Sequence, residues 1–411
     1  MQFNQKILAA VLTIAVTPVL AAEYETSITL DATKILPKEL LSGPNHQVDQ
    51  NVINDGFLNI YTITTPKGEV TAVSTATLRK YVPELNAAAR MEQVRGSKEF
   101  MAGIAGKAGD VVEGTKALVT DPVETVSGAV SGVGKLFGRA KENISGGARS
   151  DAETSRLKDL MGYSKSRRDY ADQFGVDAYS RNPVLKTALD EISWAGYSGS
   201  MTASMALMAV PGGAGAVVSV AGNTQLMNNV FRDMAPPDLR IRNREKLAAM
   251  GVSADVIDLY IGNSVYTPRE QTLLVEALAA MPATKGRDAY VKFAVLSNDP
   301  DVAFFRQRQA QMYESFNRSV EPIQSFVQLG QVSAGRTASG KLVFCTPLDY
   351  LLWTKGIANF ASAVTQEVSL QDVKERHLFV TGSFSPLART SLEKMGWKLH
   401  DKAESLLAGA P

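Results

Sequence analysis

The sequence predicts a mainly helical α+β protein: a helical bundle core, a small N-terminal β-hairpin region, and a C-terminal β-hairpin followed by a βαβ unit. Three observations carry this prediction. Between residues 149 and 322 apolar side chains recur every three or four positions behind well-marked helix starts; residues 57–76 alternate with period two; and residues 377–400 read as strand, capped helix, strand. With 411 residues, 45% apolar and 21% charged, the chain is long and apolar enough to bury a sizeable core.

Charge and thiol counts remove several function classes. Forty-three Lys and Arg against 42 Asp and Glu give +1, so nucleic-acid binding by bulk charge is excluded. The one cysteine, Cys345, rules out an internal disulfide, a cysteine-rich zinc site, an iron–sulfur cluster and a c-type haem. Three histidines argue against a histidine metal cage, and no cofactor is implied.

Residues 1–22 read as a signal peptide. Lys6 supplies the positive start, residues 7–16 are apolar apart from Thr13, and Pro18 precedes a small-residue cleavage site near Ala22. About 14 apolar-leaning residues are too few for a membrane span of roughly 20. With no cysteine at the cleavage point, a lipoprotein anchor is excluded too. The expectation is a periplasmic or secreted cell-envelope protein starting near Glu23, in a compartment without routine ATP or NAD.

Residues 23–97 form the first region. Phe57, Asn59, Tyr61 and Ile63 face one way, Thr65-Pro66-Lys67-Gly68 is a turn, and residues 69–76 return. From Leu78 the period becomes helical, through Val82, Leu85 and Ala89. Residues 98–148 are glycine-rich amphipathic helices and a linker. One stripe runs through Phe100, Ile104 and Val111, and a second through Val126, Val130, Val133 and Phe137, its start signed by Asp121-Pro122-Val123-Glu124. Eight glycines cost these helices roughly 7 kcal/mol in propensity, so they need a surface to lean on. That surface is either the protein's own body or a membrane surface or envelope partner, the latter suggested by the basic end at Lys135 and Arg139.

Residues 149–322 are read as a helical domain. Lys165, Arg167 and Arg168, interleaved with Asp169 and Asp172, read as a solvated face, and Tyr179 to Pro183 as a turn before a helix. Residues 192–231, uncharged and split by Pro211-Gly212-Gly213, read as a buried helix pair too poor in Leu, Ile and Phe to insert into a membrane. Met201, Met205 and Met208 share one helical face and are weak candidate Cu(I) ligands, with core packing the simpler reading. Thr267-Pro268 and Asp299-Pro300 open further helices.

Residues 323–411 are read as a C-terminal α/β region. Strands at 326–333 and 341–345 flank a loop resembling part of a phosphate-binding loop, but Leu342 replaces the magnesium-binding hydroxyl and a strand follows where a helix is required. Thr346-Pro347-Leu348-Asp349 is read as the cap of a helix through Phe360. The final unit is the strand 377–382, a helix from Ser385-Pro386 to Gly396, and the strand 397–400. Residues 379–399 are locally similar to the start of a BRCT module, which implies a loop at Thr381 to Phe384 facing a helix N-terminus, a candidate anion site.

The function expected from these readings is that of a non-catalytic envelope protein, its glycine-rich helices packing on the body or binding a membrane or protein partner. A periplasmic hydrolase is the alternative, with Ser198, Asp349, His377 and His400 as weak candidate catalytic residues; a copper-handling protein is the second. Nothing in the sequence sets an oligomeric state.

Overall fold

Short, polar-rich strands close around one apolar strand at the N-terminus. The computed structural model describes residues 24–98, 100, 149–153, 163–199, 225–330, 332–367, 370 and 372–406. They fall into two units: one takes residues up to 79, 243–266 and from 270 onward, and the other takes 80–242 and 267–269.

In the first unit, β1 (Ile28–Asp31), β2 (Ser42–Gly43), β3 (His46–Val48), β4 (Asn51–Asn54), β5 (Asn59–Thr65) and β6 (Gly68–Val73) make a curled antiparallel sheet. The expected β5–β6 hairpin is there, closed by Gly68 at φ +111° and by the Thr65 hydroxyl donating to the Gly68 carbonyl at 2.7 Å. Along its other edge β5 pairs first with β4 at Asn59 and Ile60, then with β3 at Ile63 and Thr64, so the sheet bends around it. Tyr61 and Ile63 point inward and are fully buried.

The second sheet is mixed. β7 (Ile323–Leu329), β8 (Val332–Thr337), β9 (Lys341–Thr346), β11 (Glu375–Val380) and β13 (Trp397–His400) lie in the order 13-11-9-8-7, the last three in sequence running parallel. A parallel strand is covered on both faces and reads as a continuous apolar run, which explains Leu342-Val343-Phe344-Cys345. Val343 and Cys345 enter a core with Leu274, Tyr290, Tyr313 and Phe316; Leu342 and Phe344 enter another with Leu351, Ile357, Leu378 and Trp397. The βαβ unit matches expectation: Ser385 accepts from the Ala388 N–H as N-cap, and Gly396 ends the helix at φ +81°.

The fold is therefore α+β, not a helical bundle core with a small hairpin attached. The helices expected to form one bundle divide. Ala254–Ile261, Arg287–Val295 and Pro300–Ser319 contribute to the core on one face of the second sheet. Tyr163–Gln173 and Pro183–Gly199 pack with the later turns of Thr75–Arg95 in the second unit, around Met91, Tyr170, Phe174 and Leu189.

Three local readings are also corrected. Gly335 and Arg336 lie inside β8 rather than in a loop, because a second hairpin folds 323–329 onto 332–337; a Cβ on Gly335 would meet the Ile323 side chain at 3.2 Å. The helix expected at 346 begins at Lys355, capped by Thr354, while Tyr350–Leu351 form strand β10, paired in parallel with β12 (Ser383–Phe384). Arg167 and Arg168 are buried rather than solvated. Backbone carbonyls of Ala152, Ser164 and Arg232 accept from their guanidinium groups, a tertiary arrangement that charge pattern alone does not show.

Candidate functional site

Parallel pairing of β11 and β13 sets His400 beside Phe379, two residues along the strand from His377 and on the same face. His377 Nδ1 lies 2.9 Å from His400 Nε2, and His377 Nε2 lies 2.9 Å from Glu375 Oε2. Period two puts Glu375 and His377 on one face of the strand, a signal the sequence reading did not use. An ionised Glu375 fixes the tautomers: His377 donates to it through Nε2 and accepts at Nδ1 from His400. Burial, with His377 beside it, pushes the His400 pKa below the ordinary histidine value.

The other candidate catalytic residues are elsewhere. Asp349 Oδ2 accepts the backbone N–H groups of Asn59 and Thr75, each at 2.9 Å, tying β5 and the helix Thr75–Arg95 to the β9–β10 connection. Ser198 lies in the helix Pro183–Gly199 of the second unit, a helical setting without the strand–turn–helix of a nucleophile elbow; its side chain is outside the described ones. Met201, Met205 and Met208 lie outside the described residues. Among the described residues no hydroxyl is hydrogen-bonded to either histidine, and no three His, Cys, Asp or Glu side chains converge on a metal-sized site.

Burial raises Asp349 to about 6. A carboxyl whose folded pKa exceeds its unfolded value stabilises the fold below the unfolded value and loses that contribution as pH rises through the folded one. Asp349→Asn keeps an oxygen for both N–H groups and removes the titration. Urea unfolding between pH 4 and pH 7 is expected to show a decline in stability that the variant flattens; equal slopes in the two proteins would refute it.

Of the predicted docking stripe, Phe100 is fully buried in the core of the second unit with Val94 and Ala171, which makes it a packing residue rather than a binding contact. Ile104, Val111, Val126, Val130, Val133, Lys135, Phe137 and Arg139 lie outside the described residues. The loop expected to take an anion is occupied by the chain itself. Thr381 Oγ1 donates to the Leu348 carbonyl at 2.8 Å, and the Glu25 carboxylate sits at the helix start, accepting from Ser385 Oγ and the Trp353 N–H at 2.5 and 2.6 Å.

The first unit holds an apolar cavity of about 60 Å³. Its wall is aromatic and aliphatic: Phe344, Phe360 and Trp397 pack edge-on or tilted with centroids 5.3 to 6.2 Å apart, and Leu378, Leu392 and Val332 extend it. It runs from Trp397 beneath the sheet to Thr346 at the carboxyl end of β9, the end at which ligands collect in open α/β sheets.

Polar groups line this cavity from one helix. Arg306 and Gln309 lie on Pro300–Ser319; Gln309 donates to the Cys345 carbonyl at 2.9 Å and accepts from Arg306 Nη1 at 3.2 Å. The Arg306 guanidinium stacks 3.5 Å from the Phe293 ring centre, and burial pulls it down to about 10. Among the described residues it has no carboxylate partner. The sequence reading missed this site because its wall draws on residues from 57 to 397. The chain matches no protein-family model, and neither the curated proteins nor the solved structures contain a match to it.

Proposed function

We propose that this is an exported, non-catalytic binding protein of the cell envelope that takes an apolar molecule with one acidic end, a fatty acid being the simplest example, into the cavity beneath the second sheet. The observation that carries this reading is an apolar cavity with a buried, carboxylate-free arginine in its wall. Apolar lining with a few polar groups is the usual chemistry of small-molecule sites. Burying a guanidinium without a counter-ion costs several kcal/mol, and stacking on an aromatic ring returns about 2 or more when desolvated, an offset without a counter-charge. A carboxylate placed at Arg306 and Gln309 supplies the missing charge. Export rests on the leader read from residues 1–22. Contact of the glycine-rich helices with a membrane is not part of this reading, since Phe100 packs in the protein's own core.

Titration with a fluorescent fatty acid tests it. One saturable site is expected, and Val332→Phe, which adds bulk to the wall from β8, weakens binding by about tenfold or more. An alkylamine of the same chain length binding as tightly as the acid would count against the role of Arg306. No saturation by either probe would sink the proposal.

A further inference from the structure

In the second unit, Tyr163–Gln173, the turn through Gly175 to Tyr179, and Gln225–Asp233 enclose a second cleft of about 50 Å³, completed by Arg269. Its carboxylates already have cations. Asp177 pairs with Lys80 at 2.7 Å, and Asp172 lies 3.6 Å from Arg232. Against the cost of burial, Lys80 and Arg269 hold Asp177 at about 2, fully charged.

Two guanidinium groups make no ion pair, although the charge of Asp177 acts on Arg269 from beyond that distance. Arg168 and Arg269 are each more than nine-tenths buried, and among the described residues neither has a carboxylate within ion-pair distance. Arg168 donates to the carbonyls of Ser164 and Arg232 and to Ser164 Oγ, and Arg269 makes one long bond of 3.5 Å to Asn228 Oδ1. Beside them the Tyr179 hydroxyl, 4% exposed as a residue, has no hydrogen-bond partner among the described residues. A buried hydroxyl is paired in most structures, and leaving one unmade costs free energy. Three donors thus line one cleft with too few acceptors. Phe231, whose ring lies 4.4 Å from the Arg269 guanidinium, adds an apolar wall.

We propose that this cleft binds a small molecule carrying an oxyanion, a phosphoryl or carboxylate group held by Arg168 and Arg269 with the Tyr179 hydroxyl as a further donor. Guanidinium groups suit this because they present paired N–H donors matched to two oxygens of one anionic group. Phe231 in the cleft wall offers an apolar surface for a body attached to the oxyanion. This site is independent of the fatty-acid proposal and stands in the other unit.

Calorimetric titration of the full chain with phenyl phosphate and with benzoate, at ionic strength fixed by chloride, tests it. One saturable site is expected for at least one probe, and the tighter of the two identifies the head group. Arg269→Gln weakens it by about tenfold or more, and Tyr179→Phe by about threefold. Tyr179→Phe removes a group without a partner, so it folds as the parent does and keeps the test decisive if Arg269→Gln does not fold. Val332→Phe leaves this affinity unchanged, which separates the site from the apolar cavity. Binding no stronger than to chloride, or parent-like affinity in Tyr179→Phe together with any folded Arg269→Gln, overturns the proposal.

Discussion

Gly382→Ala is expected to cost about 4 kcal/mol or more and to leave the first unit unfolded or loosely packed at ambient temperature. A Cβ on Gly382 would lie 1.7 Å from the Asp349 carbonyl oxygen and 2.8 Å from its Cα. Both are backbone atoms, so no rotamer change relieves the overlap. Neither can the strand retreat: the Gly382 N–H donates to the Leu348 carbonyl at 2.7 Å, and its own carbonyl accepts from the Lys402 N–H at 2.7 Å. The β10–β12 pair must open, which displaces Leu348 and Leu351 in the cavity wall, so fatty-acid binding falls with stability. Gly396→Ala is the control. Its positive φ strains alanine, but nothing lies within 4 Å of the added carbon, and a loss of about 1 kcal/mol is expected. Equilibrium urea unfolding checks both, and a Gly382→Ala protein within about 1 kcal/mol of the parent would refute the packing described.

Local chemistry explains which parts of this fold are legible in the sequence. Hairpin β5–β6 is legible because alternation and the Thr65–Gly68 turn act over a few residues, and the helix after Ser385-Pro386 because its cap and its stop are encoded beside it. Asp299-Pro300 is as informative, with the Asp299 side chain accepting from the Asp301 N–H. Strands β1 to β4 escape notice because each is two to four residues long and their apolar residues are few. The misplaced helix start at Thr346 has another cause. Thr-Pro-Leu-Asp has the composition of a cap, but Asp349 serves N–H groups 290 and 274 residues away, a contact no local rule anticipates.

The same distinction separates the two parts of the candidate sites. His377 and His400 are identifiable as chemical groups from sequence, and their meeting follows from a parallel βαβ unit, which was also legible. The two arginine sites were not. Arg306 reads as one more charge on an amphipathic helix, and Arg168 as part of a solvated run, until burial removes the water that would otherwise solvate them. What sets Arg306, Arg168 and Arg269 apart is burial with no ion-pair partner among the described residues, a property of tertiary packing alone.

Arg306→Met is expected to move stability and binding in opposite directions. Methionine fills a comparable volume, keeps contact with Phe293 and carries no charge, so the desolvation cost of the buried guanidinium disappears. Gln309 loses one donor and still donates to Cys345, while the Tyr290 hydroxyl, whose proton goes chiefly to the Arg306 carbonyl at 2.9 Å, stays 3.4 Å from Gln309 Oε1. A gain of about 1–3 kcal/mol is the usual result of replacing a buried ionic group by a well-packed apolar one. Affinity for a fatty acid falls by about tenfold or more, because a charge-assisted hydrogen bond is worth roughly 1.5–3 kcal/mol. A fatty alcohol of equal length, which needs no counter-charge, binds parent and variant alike. Thermal unfolding with and without ligand checks both halves, since saturation raises stability by about 2.7 kcal/mol at a hundredfold excess over Kd. An arginine present only for packing would give a variant that is less stable and binds the acid unchanged; one present for a ligand gives a variant that is more stable and binds the acid, but not the alcohol, more weakly.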